Sequence, residues 1–81
     1  MDQHLNIEYD ELSDTLHIEK CSPYLGQELD DIGESTLGRF NPTTHDLECI
    51  QVLFFRSRLK EEGSVKLPIR AHFKLLVEAD A

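Results

Sequence analysis

Two short segments near the start of this chain alternate apolar and polar residues one for one: Leu5-Asn6-Ile7-Glu8-Tyr9 and Thr15-Leu16-His17-Ile18-Glu19. Successive side chains of an extended chain point to opposite faces, so this period fits a strand with one buried face. Leu16 and Ile18 are expected inward, His17 and Glu19 outward. The intervening Asp10-Glu11-Leu12-Ser13-Asp14 is rich in turn formers. A link of five residues makes an antiparallel pair the economical solution.

Further along, Cys21 to Asp31 holds Pro23, Gly26 and several acids, and reads as a connecting loop with Leu25 and Leu29 tucked under the sheet. A third strand is expected from Ile32 to Phe40, although Gly33 and Gly38 weaken it. Asn41-Pro42-Thr43-Thr44-His45-Asp46 is the clearest turn, because proline presets φ while Asn and Asp bond their own backbone. The strongest strand follows from Leu47 to Phe55. Ile50, Val52 and Phe54 are expected on one face, with Leu53 and Phe55 making its far end apolar on both sides. Arg56 to Glu62, stopped by Gly63, has the length and composition of a two-turn helix. Ile69 to Glu78 fits either period, with Leu67-Pro68 favouring a strand. The expected fold class is α+β: a small, mainly antiparallel sheet of four or five strands with one short helix after the fourth strand. At 81 residues the chain is one domain, 1–81.

Charge is uneven. Residues 1–55 carry −10 and residues 56–74 carry +4, within a formal net charge of −8. An acidic body repels phosphate backbones, so no nucleic acid is expected as partner. No apolar run approaches the roughly 20 residues that cross a bilayer, so no membrane is expected either. Met1-Asp2-Gln3-His4 has neither a basic start nor an apolar region, which points to a cytoplasmic chain. In that setting Cys21 and Cys49 are expected as free thiols, with a Cys21–Cys49 bridge the alternative.

The segment from Ile7 to Ile18 resembles the start of a small bacterial family catalogued as domain of unknown function 2283, whose members begin Tyr-Asp-Glu-x-x-Asp-x-Leu-x-Ile. Tyr9, Asp10, Glu11, Asp14, Leu16 and Ile18 match that pattern, Asn41 to Asp46 stands in for the family's hairpin turn, and Cys49-Ile50-Gln51-Val52-Leu53 for its Gly-Ile-Glu-Ile-Leu segment. The family-like portion covers about 5–59, leaving 63–81 as a C-terminal extension. Thr36, Gly38 and Phe40 depart from the apolar alternation of the third strand, and His17 from an aromatic. The resemblance implies a small antiparallel sheet with helical turns, and no activity.

Signals of catalysis are sparse. Ser13, Ser22, Ser35, Ser57 and Ser64 lie in no Gly-x-Ser-x-Gly elbow, and Gly33 and Gly38 form no phosphate loop. His17-x3-Cys21, with Cys49 or His45 as a third ligand, lacks the close pairs of a zinc site. No metal or cofactor is therefore expected. Asp10, Glu11 and Asp14 form the densest polar cluster; turn capping is the preferred reading, with Asp10, Asp14 and His17 as an alternative polar site.

Three functions compete. The first is a non-catalytic interaction module forming a homodimer through strand edges or the apolar end at Leu53, Phe54 and Phe55. The second is an acidic, antitoxin-like neutralising partner of a small basic toxin. The third is a small metal-dependent protein or enzyme built on Asp10, Asp14, His17 and Cys21.

Overall fold

A computed structural model describes residues 4–73. Five strands, β1 (Asn6–Asp10), β2 (Thr15–Glu19), β3 (Glu28–Gly33), β4 (Thr36–Phe40) and β5 (Leu47–Leu53), precede a helix, α1 (Phe55–Glu62). All neighbouring strands are antiparallel, in the order β1-β2-β5-β4-β3. Two hairpins, β1–β2 and β3–β4, are thus joined by β5 between them.

The register confirms the period-two pattern. Ile7, Ile18, Ile50 and Gly38 lie in one row across the sheet, and Tyr9, Leu16, Val52 and Thr36 in the row two residues away. Directly opposed residues share a face, so these rows form one apolar face. Asn6, Glu8 and Asp10 alternate onto the other, beside Glu19, His17 and Thr15. The core sits at the middle of β5: Val52 is 0% exposed and Ile50 8%. Thr36 is fully buried beside Val52, its hydroxyl satisfied by the Glu34 carbonyl at 3.0 Å.

Gly38 is buried for a steric reason. A Cβ there would stand 2.8 Å from Leu47 Cδ1, 3.1 Å from Phe40 Cε1 and 3.3 Å from Ile32 Cγ2. The missing side chain lets three larger ones close over the β4 backbone.

The structure corrects the expected strand count before the helix: α1 follows the fifth strand. The region expected as one strand, 32–40, is a bend in a hairpin, and part of the expected loop is β3. Glu34 and Ser35 turn the chain at φ 52° and 53°. Two successive positive φ angles are what a type I′ turn needs, and that turn is normally announced by Asn-Gly. Acids at Glu28, Asp30 and Asp31, with a register shift between Asp31 and Gly33, erase the alternation of β3.

Two burial expectations are also corrected. Leu25 is fully exposed and Leu29 half exposed. A turn closed by Gln27 N–H on the Tyr24 carbonyl (3.2 Å), with Gly26 at φ 95°, carries Leu25 outward. Leu29 opposes Arg39, one residue out of step with the apolar row. Phe54 does not extend β5 either; it bends to φ 54° and is exposed.

The turn at 41–46 forms as expected: Asn41 Oδ1 accepts the Thr43 and Thr44 N–H groups, and His45 N–H bonds the Asn41 carbonyl. Gly63 ends α1 at φ 77° with its N–H on the Leu59 carbonyl. Residues 64–73 carry no helix or strand, although Val65, Leu67 and Ile69 are half-buried between exposed neighbours. Of the strand expected at 69–78, residues 74–78 lie outside the described residues.

Candidate functional site

The acid cluster of the first turn divides into two tasks. Asp10 caps its own turn, accepting the Leu12 N–H at 3.1 Å and the Ser13 hydroxyl at 2.9 Å. The Ser13 hydroxyl, first among several donors, holds the Asp10 carboxyl below its usual range. Asp14, at φ 54°, instead reaches across the molecule. Its Oδ1 accepts the Tyr9 hydroxyl at 2.5 Å and the Arg56 N–H at 2.8 Å, while its Oδ2 accepts the Ser57 hydroxyl at 2.9 Å. Its carbonyl takes the Phe55 N–H at 2.9 Å.

Asp14 is therefore the N-cap of α1 in everything but chain position. Phe54, in the cap position itself, offers no acceptor. A carboxylate satisfies the orphan N–H groups and complements the positive end of the helix. The Tyr9 hydroxyl foremost, then the Arg56 N–H, hold Asp14 down to about 2. The same bond pushes the Tyr9 phenol up. Around it the Tyr9 ring meets Phe55 at 6.0 Å, and the Arg56 guanidinium stands 5.3 Å above it. Capping was expected for Asp14, but of the turn before β2 rather than of a helix 42 residues away.

The alternative polar site is only partly assembled. Asp10 and His17 border an open hollow of about 470 Å³ together with Glu8 and Tyr9. Asp14 is not among its lining residues. Among the described residues no three His, Cys, Asp or Glu side chains converge to hold a metal.

A second polar knot escaped the sequence reading. Glu48 Oε1 accepts the Tyr24 hydroxyl at 2.6 Å and Gln27 Nε2 at 2.9 Å, and its Oε2 accepts Asn41 Nδ2 at 3.3 Å. It ties the 20–28 connection and the 41–46 turn to β5. Hydrogen bonding to Glu48 pushes the Tyr24 phenol up to about 12 and, reciprocally, lowers Glu48. Beside it the buried Cys49 thiol donates to the Cys21 carbonyl at 3.3 Å, and burial pushes that thiol up. Cys21 is exposed, and both cysteines are free.

The expected apolar end does not form one patch. Leu53 opposes Thr15, on the face away from Tyr9; Phe55 turns to Tyr9; only Phe54 is largely exposed. Exposed apolar side chains are spread over both edges and the turns: on the β1 side Ile7 is 59% exposed and the preceding Leu5 50%, while Leu29 on β3 is 52% exposed and Leu12 and Leu25 stand fully out in their turns. The opposite edge, β3, carries exposed Glu28, Asp30 and Asp31, followed by Glu34. No helix among the described residues is long and apolar enough to cross a membrane. No family model, curated protein or solved structure matches this chain.

Proposed function

We propose that this chain is a non-catalytic interaction module that works by self-association. The observation carrying this reading is the apolar border of the β1 edge, where Leu5 and Ile7 stand half or more exposed beside a strand that, among the described residues, pairs on one side only. Sheet edges with exposed apolar side chains are templates for another strand, and a closed two-fold pair removes the hazard. Sedimentation equilibrium across the micromolar to millimolar range tests it: a reversible dimer is expected, and a monomer throughout refutes it.

The acids of β3 favour a second reading, the acidic neutralising partner of a small basic toxin. Glu28, Asp30, Asp31 and Glu34 gather exposed negative charge along one edge. Such a surface steers a basic partner and loses its grip as salt rises. Co-expression with the product of the adjacent gene is the test; failure to co-purify at low salt refutes it.

A further inference from the structure

The two edges of the sheet differ in how they would receive a copy of themselves. On β3, every two-fold antiparallel register centred between Leu29 and Asp31 sets one acid against another, among Glu28, Asp30 and Asp31. Like charges directly opposed across strands are destabilising. Pairing β1 with β3 of a second copy also brings Glu8 and Asp10 toward those acids, and leaves the other edges free to add further copies without closure.

β1 has one register without these faults. Centred on Ile7, it opposes Ile7 to Ile7 once, on the axis, and Leu5 to Tyr9 and Asn6 to Glu8 twice each by symmetry. Moving the centre to Glu8 sets carboxylate against carboxylate. Moving it midway between Ile7 and Glu8 turns the apolar face of one copy toward the polar face of the other. Centring it on Asn6 leaves most of Asn6–Asp10 without a partner strand.

We infer that a second copy of this chain docks on β1, antiparallel and two-fold about Ile7, giving one continuous ten-stranded sheet. The inference rests on the self-association reading and specifies its edge and register. Leu5 and Ile7 cover each other's partners, the apolar faces of the two sheets run on flush, and an Asn6 amide donates to Glu8 at each end. The acidic β3 edges stay outermost, where their charge discourages further growth.

Sedimentation equilibrium of the full chain and four variants tests this, with far-UV circular dichroism confirming that each is folded. Ile7→Lys is expected to weaken the dimer at least about tenfold, by opposing two cations at the centre and removing the apolar pair. Leu29→Lys, on the other edge, leaves it unchanged. Asn6→Asp weakens it about tenfold by opposing Glu8 twice, and adding Glu8→Lys to Asn6→Asp restores it. That rescue is specific to the Ile7-centred register, and the Asn6 pair of variants carries the test if Ile7→Lys fails to fold. A wild-type monomer overturns self-association altogether. A folded Ile7→Lys that still dimerises, or an Asn6→Asp defect that Glu8→Lys does not repair, overturns the edge or register while leaving the self-association reading standing.

Discussion

Replacing Gly38 by alanine sets two opposed effects against each other, and the distances decide between them. Gly38 does not occupy a positive φ, so alanine is compatible with its backbone. On that account the substitution gains about 0.4–1 kcal/mol by restricting the unfolded chain. The new methyl, however, arrives 2.8, 3.1 and 3.3 Å from carbons of three residues, on β5, β4 and β3. Comfortable carbon contacts begin at about 3.5 Å, and overpacking a close-fitted site costs about 1–3 kcal/mol. The Leu47 tip can yield, but Phe40 and Ile32 close the space on other sides. The net expectation is a loss of about 1 kcal/mol, read in urea as a midpoint lower by about 1 M for a small domain. The same substitution in a Leu47→Ala background, where the nearest atom is gone, is expected to be neutral or stabilising. A double-mutant cycle measures the difference as a coupling of about 1 kcal/mol. A raised midpoint for Gly38→Ala alone, or an equal loss in both backgrounds, would refute the steric account.

Other consequences are separately measurable. The Asp14 carboxyl is held to about 2 in the folded protein, below its ordinary range. Its contribution is thus present above about pH 4 and lost as pH falls toward 2; Asp14→Asn is expected to flatten that acid limb in urea melts followed at the helix signal, and an unchanged limb contradicts the cap. Tyr24, held up to about 12 chiefly by Glu48, should ionise late in an ultraviolet titration, and Glu48→Gln should bring it back toward about 10. A thiol reagent is expected to label exposed Cys21 at once and buried Cys49 only on unfolding; prompt labelling of both would contradict the burial of β5.

How much of this was legible in the residues follows from the range of the interactions involved. β1, β2 and the body of β5 announce themselves because their alternation is written residue by residue. The 41–46 turn is equally local, its bonds running from Asn41 to residues a few positions on. β3 was illegible because an edge strand carries acids where a central one carries valines, and because Glu34-Ser35 turns without glycine. Asp14 stood out in its turn, yet its helical partners lie 42 and 43 residues away, which no spacing encodes. Glu48 was missed for the same reason, its partners at 24, 21 and 7 residues. Leu53, Phe54 and Phe55 read as one apolar end only so long as the strand is imagined straight through Phe54.

The position of β5 bears on how the sheet holds together. Among the described residues the last strand in sequence takes the middle place, flanked by β2 on one side and β4 on the other. Each hairpin forms its own ladder, β1 with β2 and β3 with β4, but neither contains the neighbour that completes its inner rim. Without β5 they would be separate pieces with a second raw edge apiece. One seven-residue ribbon slots between them and makes two halves one.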